Sequence, residues 1–270
     1  MKQGFIKVAA GTPQITVADC KANTSAILEL IREMEEQHAK IMVLPELCIT
    51  GYTCQDLFLQ RRLLDSAWES LLVIARETEN VDALIFVGLP MRLNGKLYNV
   101  AAVLNQGNII GFVPKTYIPN YNEFYERRHF ASGEDVWTDV TIGEESVPFG
   151  SNLIFTCESL PELTVGAEIC EDLWAPLPPS VNLAQGGAHI IVNLSASDET
   201  VGKASYRRDL VKGQSARLVC GYVYATAGEG ESSQDLVFGG HNLIAENGCI
   251  LGESRLFHNA VLYGEIDVQR

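Results

Sequence analysis

The sequence predicts an α/β protein of four layers, an α/β/β/α sandwich, on three observations. Apolar runs of strand length alternate with segments whose apolar residues recur at helical spacing. The order strand, helix, strand, helix, strand and hairpin runs through the first half of the 270 residues and then begins again. Each half built this way is a sheet with helices on one face, and pairing the two bare faces buries both.

Residues 5–10 read as the first strand, and Asp19 caps a helix in which Ile27, Leu30, Ile31 and Met34 share a face. Residues 41–44 are a short buried strand ended by Pro45, and Glu46 opens a loop over 46–55. A second amphipathic helix over 56–78 turns Leu57, Leu64, Trp68, Leu71 and Leu72 inward, and 83–88 is the third strand. Asn94-Gly95 and Asn105-Gln106-Gly107 punctuate apolar runs at 97–104 and 109–113, as hairpin strands require. Residues 115–149 read as one long aromatic-rich loop, and a loop of that size in a compact domain is usually functional or an insertion.

The order then restarts. Strands at 152–156 and 163–169 precede a helix begun by Pro at 179–185, a buried strand at 189–193, a helix over 204–220 and a strand at 221–227. Residues 228–233, GEGESS, read as a surface loop. Hairpin strands flank Asn247-Gly248, and 261–268 is the last strand. IMVL before LPEL matches HIIV before NLSAS, and AAVLNQGNIIG matches HNLIAENGCILG, the pattern of a duplicated unit. With no linker or charge block dividing it, the chain is expected to be one domain, 1–270.

Lys+Arg of 20 against Asp+Glu of 34 leaves a formal charge of −14, which repels phosphate backbones and anionic lipid and argues against nucleic-acid and membrane partners. The N-terminal apolar run is too short for a signal segment, so a cytoplasmic enzyme is expected. Seven cysteines at irregular spacing, none in a Cys-x-x-Cys pair, suit reduced thiols and give no metal site.

Cys170 ends the run LTVGAEI, and Glu171, Asp172 and Trp174 beyond it do not continue a buried strand. Side chains at the carboxyl ends of strands project into the crevice where α/β folds bind ligands. A thiol at its usual pKa of about 8.5 needs a base or a cation beside it. None of the five histidines forms a Cys-His pattern, and no Gly-x-Ser-x-Gly elbow is present. A carboxylate and an ammonium are the alternative. Glu46 follows one strand and Lys115 another, and three strand-terminal residues of complementary type suggest one crevice, although each alone reads as structural. Glu171 and Asp172 are acidic beside a thiol that must ionise, so they are expected to point away.

Three segments carry a resemblance: Leu44-Pro45-Glu46-Leu47 with Gly51-Tyr52, the run from Pro114 and Lys115 through Tyr121 to Glu126, and Ile169-Cys170-Glu171-Asp172-Leu173-Trp174. They resemble the nitrilase, or carbon–nitrogen hydrolase, superfamily, whose α/β/β/α fold is the one inferred above. The last two segments are most similar to the glutamine amidotransferase domain of glutamine-dependent NAD⁺ synthetases. The resemblance implies a catalytic triad of Glu46, Lys115 and Cys170, supported by Glu126 and the backbone N–H of Glu171. It implies glutamine contacts at Tyr52, Tyr121 and Ser197, and at Lys203 where that branch carries Arg. Lysine keeps the charge and loses the bidentate geometry.

The resemblance implies hydrolysis of the glutamine side-chain amide through a cysteine thioester, with no metal or organic cofactor in this domain. ATP and deamido-NAD⁺ would belong to a synthetase domain, whose Ser-Gly-Gly-x-Asp-Ser phosphate loop the sequence lacks. The chain is therefore expected to be the N-terminal part of a longer polypeptide and, by resemblance, a homo-oligomer. Two alternatives stand beside this one: a self-standing amidase, nitrilase or carbamoylase of the same superfamily, and a catalytically dead interaction module.

Overall fold

A computed structural model describes residues 4–232 and 235–269. Two sheets form its centre. The first has eight strands in the order β14-β1-β2-β3-β4-β5-β7-β6: β1 Phe5–Gly11, β2 Ile41–Val43, β3 Leu84–Leu93, β4 Lys96–Asn105, β5 Asn108–Pro114, β6 Trp137–Ile142, β7 Glu145–Gly150 and β14 Val261–Asp267. The second has six in the order β13-β12-β11-β10-β9-β8: β8 Ile154–Cys157, β9 Leu160–Ile169, β10 Ile190–Ser195, β11 Gly221–Thr226, β12 Leu243–Glu246 and β13 Cys249–Glu253.

The period-two alternation of each strand decides the layers. Val8 and Ala10 of β1, Ile41 and Val43 of β2, and Phe86 of β3 face Ile190 and Val192 of β10 and Val223 and Ala225 of β11, forming a core between the sheets. Their neighbours Ala9, Met42, Ile85 and Val87 face outward onto α1 Cys20–Glu36 and α2 Arg61–Glu77. Ile191, Tyr222 and Tyr224 face outward from the second sheet, where α3 Glu171–Trp174, α4 Pro179–Gln185 and α5 Lys203–Leu218 lie. The four-layer α/β/β/α order follows. The repeat in the sequence is a repeat of topology: β1, β2 and β3 run parallel before an antiparallel hairpin, and so do β9, β10 and β11.

Three details depart from the sequence reading. Residues 137–150 are a hairpin, not loop, and extend the first sheet through pairing of Phe112 with Phe149. The last strand, which follows the second half in sequence, joins the first sheet: β14 pairs with β1 from Phe5↔Asp267 to Gly11↔Val261. The second helix begins at Arg61 because Gln60 is extended, with a 3-10 segment over Tyr52–Leu59 before it. Leu57, in that segment, and Leu72, on the outer face of the helix, are exposed, not inward. Asp19 caps α1 as expected, its side chain accepting from the Ala22 N–H. Among the described residues no helix is long and apolar enough to cross a membrane.

The loop read at 228–233 is indeed irregular, but it is not all surface. Glu231 is fully buried, and Gly230 lies so close to the first loop that a Cβ would come within 1.8 Å of the Ile15 carbonyl oxygen. Ser233 of that call lies outside the described residues.

Candidate active site

Glu46 arrives by leaving one sheet for the other. The Leu44 N–H still donates to the Phe86 carbonyl at 3.0 Å, whereas the Glu46 N–H donates to Ser195 O, 3.3 Å away at the end of β10. The crossing passes over Gly88, where a Cβ would stand 2.4 Å from Leu47 N and 2.5 Å from Pro45 O, so only glycine lets the segment lie this close. Lys115 follows β5, its N–H bonded to Asn99 O at 2.8 Å. Cys170 follows β9 with φ +46° and ψ −99°, a left-handed backbone that costs an L-residue energy and persists only when its surroundings enforce it. Its N–H is held by Leu194 O at 3.0 Å and Asn193 Oδ1 at 3.1 Å.

The side chains converge out of contact with solvent. Lys115 Nζ is 2.6 Å from Glu46 Oε1 and 2.7 Å from Glu126 Oε1, and all three groups are buried. Asn99 Nδ2 donates to the same Glu46 oxygen at 2.6 Å, the Ala196 N–H donates to Glu46 Oε2 at 2.9 Å, and Tyr52 OH donates to Glu126 Oε1 at 2.8 Å. Glu126 Oε2 has no hydrogen-bond partner among the described residues. A small cleft lined by Tyr52, Phe58, Tyr125, Glu126 and Phe130 opens beside it.

Charge follows from this geometry. Burial opposes a charged Lys115, but Glu126 and Glu46 outweigh it and hold the ammonium well above its ordinary value. Burial pushes Glu126 up to about 7 against the pull of Lys115, with the Glu46 charge adding to the rise. The Cys170 thiol is raised well above its usual value by burial and then by Glu46, while Lys115 and the Ala196 N–H pull it down. Cys170 is thus within electrostatic reach of both carboxylates and the ammonium, and it rests as a thiol.

The residues around this cluster fall into two groups. Tyr52 joins it directly through Glu126. Tyr121 stands at the rim, half exposed, its hydroxyl donating to Glu171 Oε1 at 2.8 Å. Glu171 opens α3, so its N–H belongs to the first turn, where no intrahelical acceptor exists. Ser197 and Lys203 belong to a neighbouring group: Ser197 Oγ accepts from Arg207 Nη2 at 3.1 Å, and Lys203 Nζ pairs with Asp198 while lying 5.5 Å above the Phe124 ring and 5.6 Å above that of Trp174. The Lys203 charge therefore already has a partner.

Several buried polar residues outside the predicted catalytic and binding set organise the site. Arg207, fully buried, ties Ser197, the Asp198 carbonyl, Glu199 and His241 together; it stands one turn after Lys203, a spacing that places both on one helix face. Asp172 turns its carboxylate to the backbone, accepting from Thr116 and Tyr117 N–H at 3.1 and 2.7 Å and from Ile169 N–H at 2.9 Å, which fastens the chain after Lys115 to the chain before Cys170. Glu231 accepts the Tyr52 N–H with both oxygens, at 3.0 and 2.9 Å. Each is a charged group where burial demands partners, and that demand was the available signal.

A four-layer sandwich that brings a carboxylate, an ammonium and a thiol together at the ends of three strands has the make-up of a nitrilase-type enzyme. The chain belongs to the carbon-nitrogen hydrolase family, whose model matches residues 7–270. It is 41% identical over 267 residues to the glutamine-dependent NAD(+) synthetase of Mycobacterium tuberculosis, which covers 99% of this chain and 39% of that one. The glutamine-dependent NAD(+) synthetase of Thermotoga maritima is 31% identical over 272 residues, 99% of this chain and 43% of the other. The chain thus spans about two fifths of the length of these relatives. Among solved structures, a glutamine-dependent NAD(+) synthetase from Cytophaga hutchinsonii superimposes with a TM-score of 0.86 at 31% identity, over 97% of this chain and 43% of that one. An amidase from Nesterenkonia has the same fold, with a TM-score of 0.76 at 19% identity over 100% of this chain and 94% of the amidase.

Proposed function

We propose that this chain hydrolyses the side-chain amide of glutamine through a thioester on Cys170 and supplies the ammonia to an ATP-dependent NAD⁺ synthetase portion of a longer polypeptide. The observation that carries the proposal is the buried Lys115 ammonium, fixed between Glu46 and Glu126 beside a thiol on a left-handed backbone. The similarity to glutamine-dependent NAD(+) synthetases supports glutamine as the amide.

Glu46 takes the thiol proton as Cys170 Sγ attacks the carboxamide carbon. Oε2 suits this task because Oε1 is already occupied by Lys115 and Asn99. The carbonyl oxygen becomes an oxyanion held by the Lys115 ammonium and the Glu171 N–H. Glu126 Oε2, without a partner among the described residues, accepts from the amide N–H of the substrate. Collapse expels ammonia with the proton from Glu46 and leaves the acyl group on sulfur. Water, deprotonated by Glu46, attacks the thioester, glutamate departs and the thiol is restored. Each step is a proton transfer or an acyl transfer, so this chemistry asks for no metal or organic cofactor; ATP and deamido-NAD⁺ are ligands of the synthetase portion.

The test is ammonia release from glutamine by the wild type and by Cys170→Ala, with intact mass after exposure to a glutamine-analogue diazo-ketone. Release lost in C170A and a single adduct on Cys170 support the reading, and equal release from both proteins overturns it. Turnover of simple aliphatic amides with none of glutamine assigns the chain to the free-standing amidases instead.

A further inference from the structure

Three strands of the second sheet each carry a buried polar residue on the helix-facing side: Glu168 on β9, Asn193 on β10 and Tyr222 on β11. Glu168 and Asn193 are register partners. A carboxylate, an amide and a phenol in the middle of apolar strands are costly unless every donor meets an acceptor, and here the pairing can be followed atom by atom. The Ser180 N–H, in the first turn of α4, donates to Glu168 Oε2 at 2.8 Å. Tyr222 OH donates to Glu168 Oε1. That spends its one proton, so the phenol oxygen accepts, and it does so from Asn193 Nδ2 at 3.1 Å. With the NH₂ end of the amide engaged there, Asn193 Oδ1 faces the other way and accepts from Ser195 Oγ at 2.7 Å and from the Cys170 N–H at 3.1 Å.

We propose that Glu168, Tyr222 and Asn193 form a chain of positioning residues that holds Cys170 in its left-handed conformation by fixing which end of the Asn193 amide meets the Cys170 N–H. The proposal rests on Cys170 being the nucleophile. An amide turned the other way would set NH₂ against N–H at the residue whose backbone is most in need of support, since Cys170 keeps φ +46° only while its neighbours enforce it. The Glu168 carboxyl orders the phenol, the phenol orders the amide, and the amide secures the backbone that carries the sulfur. None of the three touches the substrate in this scheme, so they change how often the thiol stands in the attacking position and not how the substrate is bound.

Tyr222→Phe removes the link with the least change of shape. Its expected result is a kcat at least about tenfold lower with KM within about twofold of wild type, as a small misplacement of a reacting atom produces, and a matching fall in the rate at which the diazo-ketone labels Cys170. Glu168→Gln is the second variant and decides the matter if Y222F does not fold. Its carbonyl end goes to the Ser180 N–H and its NH₂ end to Tyr222, so the phenol proton turns toward Asn193 and the order of the chain reverses. Because the three act as one, the double variant should lose no more than Y222F alone. Wild-type kcat and labelling in a folded Y222F or E168Q, or losses that multiply in the double variant, overturn the proposal. The nucleophile assignment fails separately: ammonia release that survives C170A sinks that reading, whereas wild-type turnover in Y222F beside a dead C170A sinks only the positioning chain.

Discussion

Lys115 Nζ lies 2.6 Å from Glu46 Oε1, and neither side chain has any contact with solvent. Removing one partner of a buried pair leaves the other charged and unpaired, a loss of about 3–5 kcal/mol. Lys115→Met strands two carboxylates, Glu46 and Glu126. Glu126, already raised by burial, then binds a proton on folding that the unfolded chain does not, so stability falls as pH rises. Guanidinium unfolding should show K115M well below the wild type at pH 8 and closer to it at pH 5.5, and a gap independent of pH would remove Glu126 as the titrating group.

The same electrostatics separate the reactivity of Cys170 from its catalytic competence. After burial, Glu46 is the strongest influence raising the thiol. Glu46→Gln deletes that charge along with the general base proposed above. The variant should hydrolyse no amide, yet its Cys170 should react several-fold faster than wild type with a small neutral alkylating reagent at fixed pH, since more of it is thiolate. Slower alkylation of E46Q, followed by mass spectrometry, would contradict the electrostatic account.

Glu126 gives a pH signature of its own. Its folded carboxyl titrates at about 7 because of burial, opposed by Lys115 and aided by Glu46, against about 4.3 for an unfolded glutamate. Between those two values the folded form holds a proton that the unfolded form has lost. Stability from this group is therefore greatest below the unfolded value and declines as pH rises through the window to about 7. Glu126→Gln has no proton to lose, so its denaturation midpoint should fall less than that of the wild type between pH 4.5 and 7.5. Parallel curves for the two proteins would count against the assignment.

How far the sequence discloses all this depends on the kind of information. The strand ending at Cys170 is legible because apolar alternation stops there, and Lys115 and Glu46 are legible as charged residues directly after apolar runs. The hairpin at 137–150 is not, because β6, WTDVTI, is an edge strand with Val140 its one buried residue. The pairing of Phe5 with Asp267 is invisible for another reason: nothing in one sequence says which distant edge a last strand will join. Asn99, Glu168 and Asn193 announce themselves only as polar residues inside apolar strands. Burial states that such groups have partners, but the partners come from other strands and are set by topology.

Asp172 is the joint between the strand ends that carry Lys115 and Cys170, and its substitution tests whether the site is assembled or merely adjacent. Oδ1 receives the Thr116 and Tyr117 N–H groups and Oδ2 receives the Ile169 N–H. Burial raises the carboxyl well above its usual value while the Tyr117 and Ile169 N–H groups oppose the rise. Asp172→Asn keeps the shape but must turn NH₂ toward at least one of these donors. An N–H left without an acceptor costs about 1–3 kcal/mol. If the amide end faces Ile169, the backbone before Cys170 loosens; if it faces Thr116 and Tyr117, the segment after Lys115 does. Either way D172N should lower kcat more than a stability loss of that size explains, with the folded fraction unchanged at the assay temperature. Asp172→Ala, which abandons all three donors, should lose more on both counts. Full turnover in a destabilised D172N would mean that Lys115 and Cys170 are held in place without this joint.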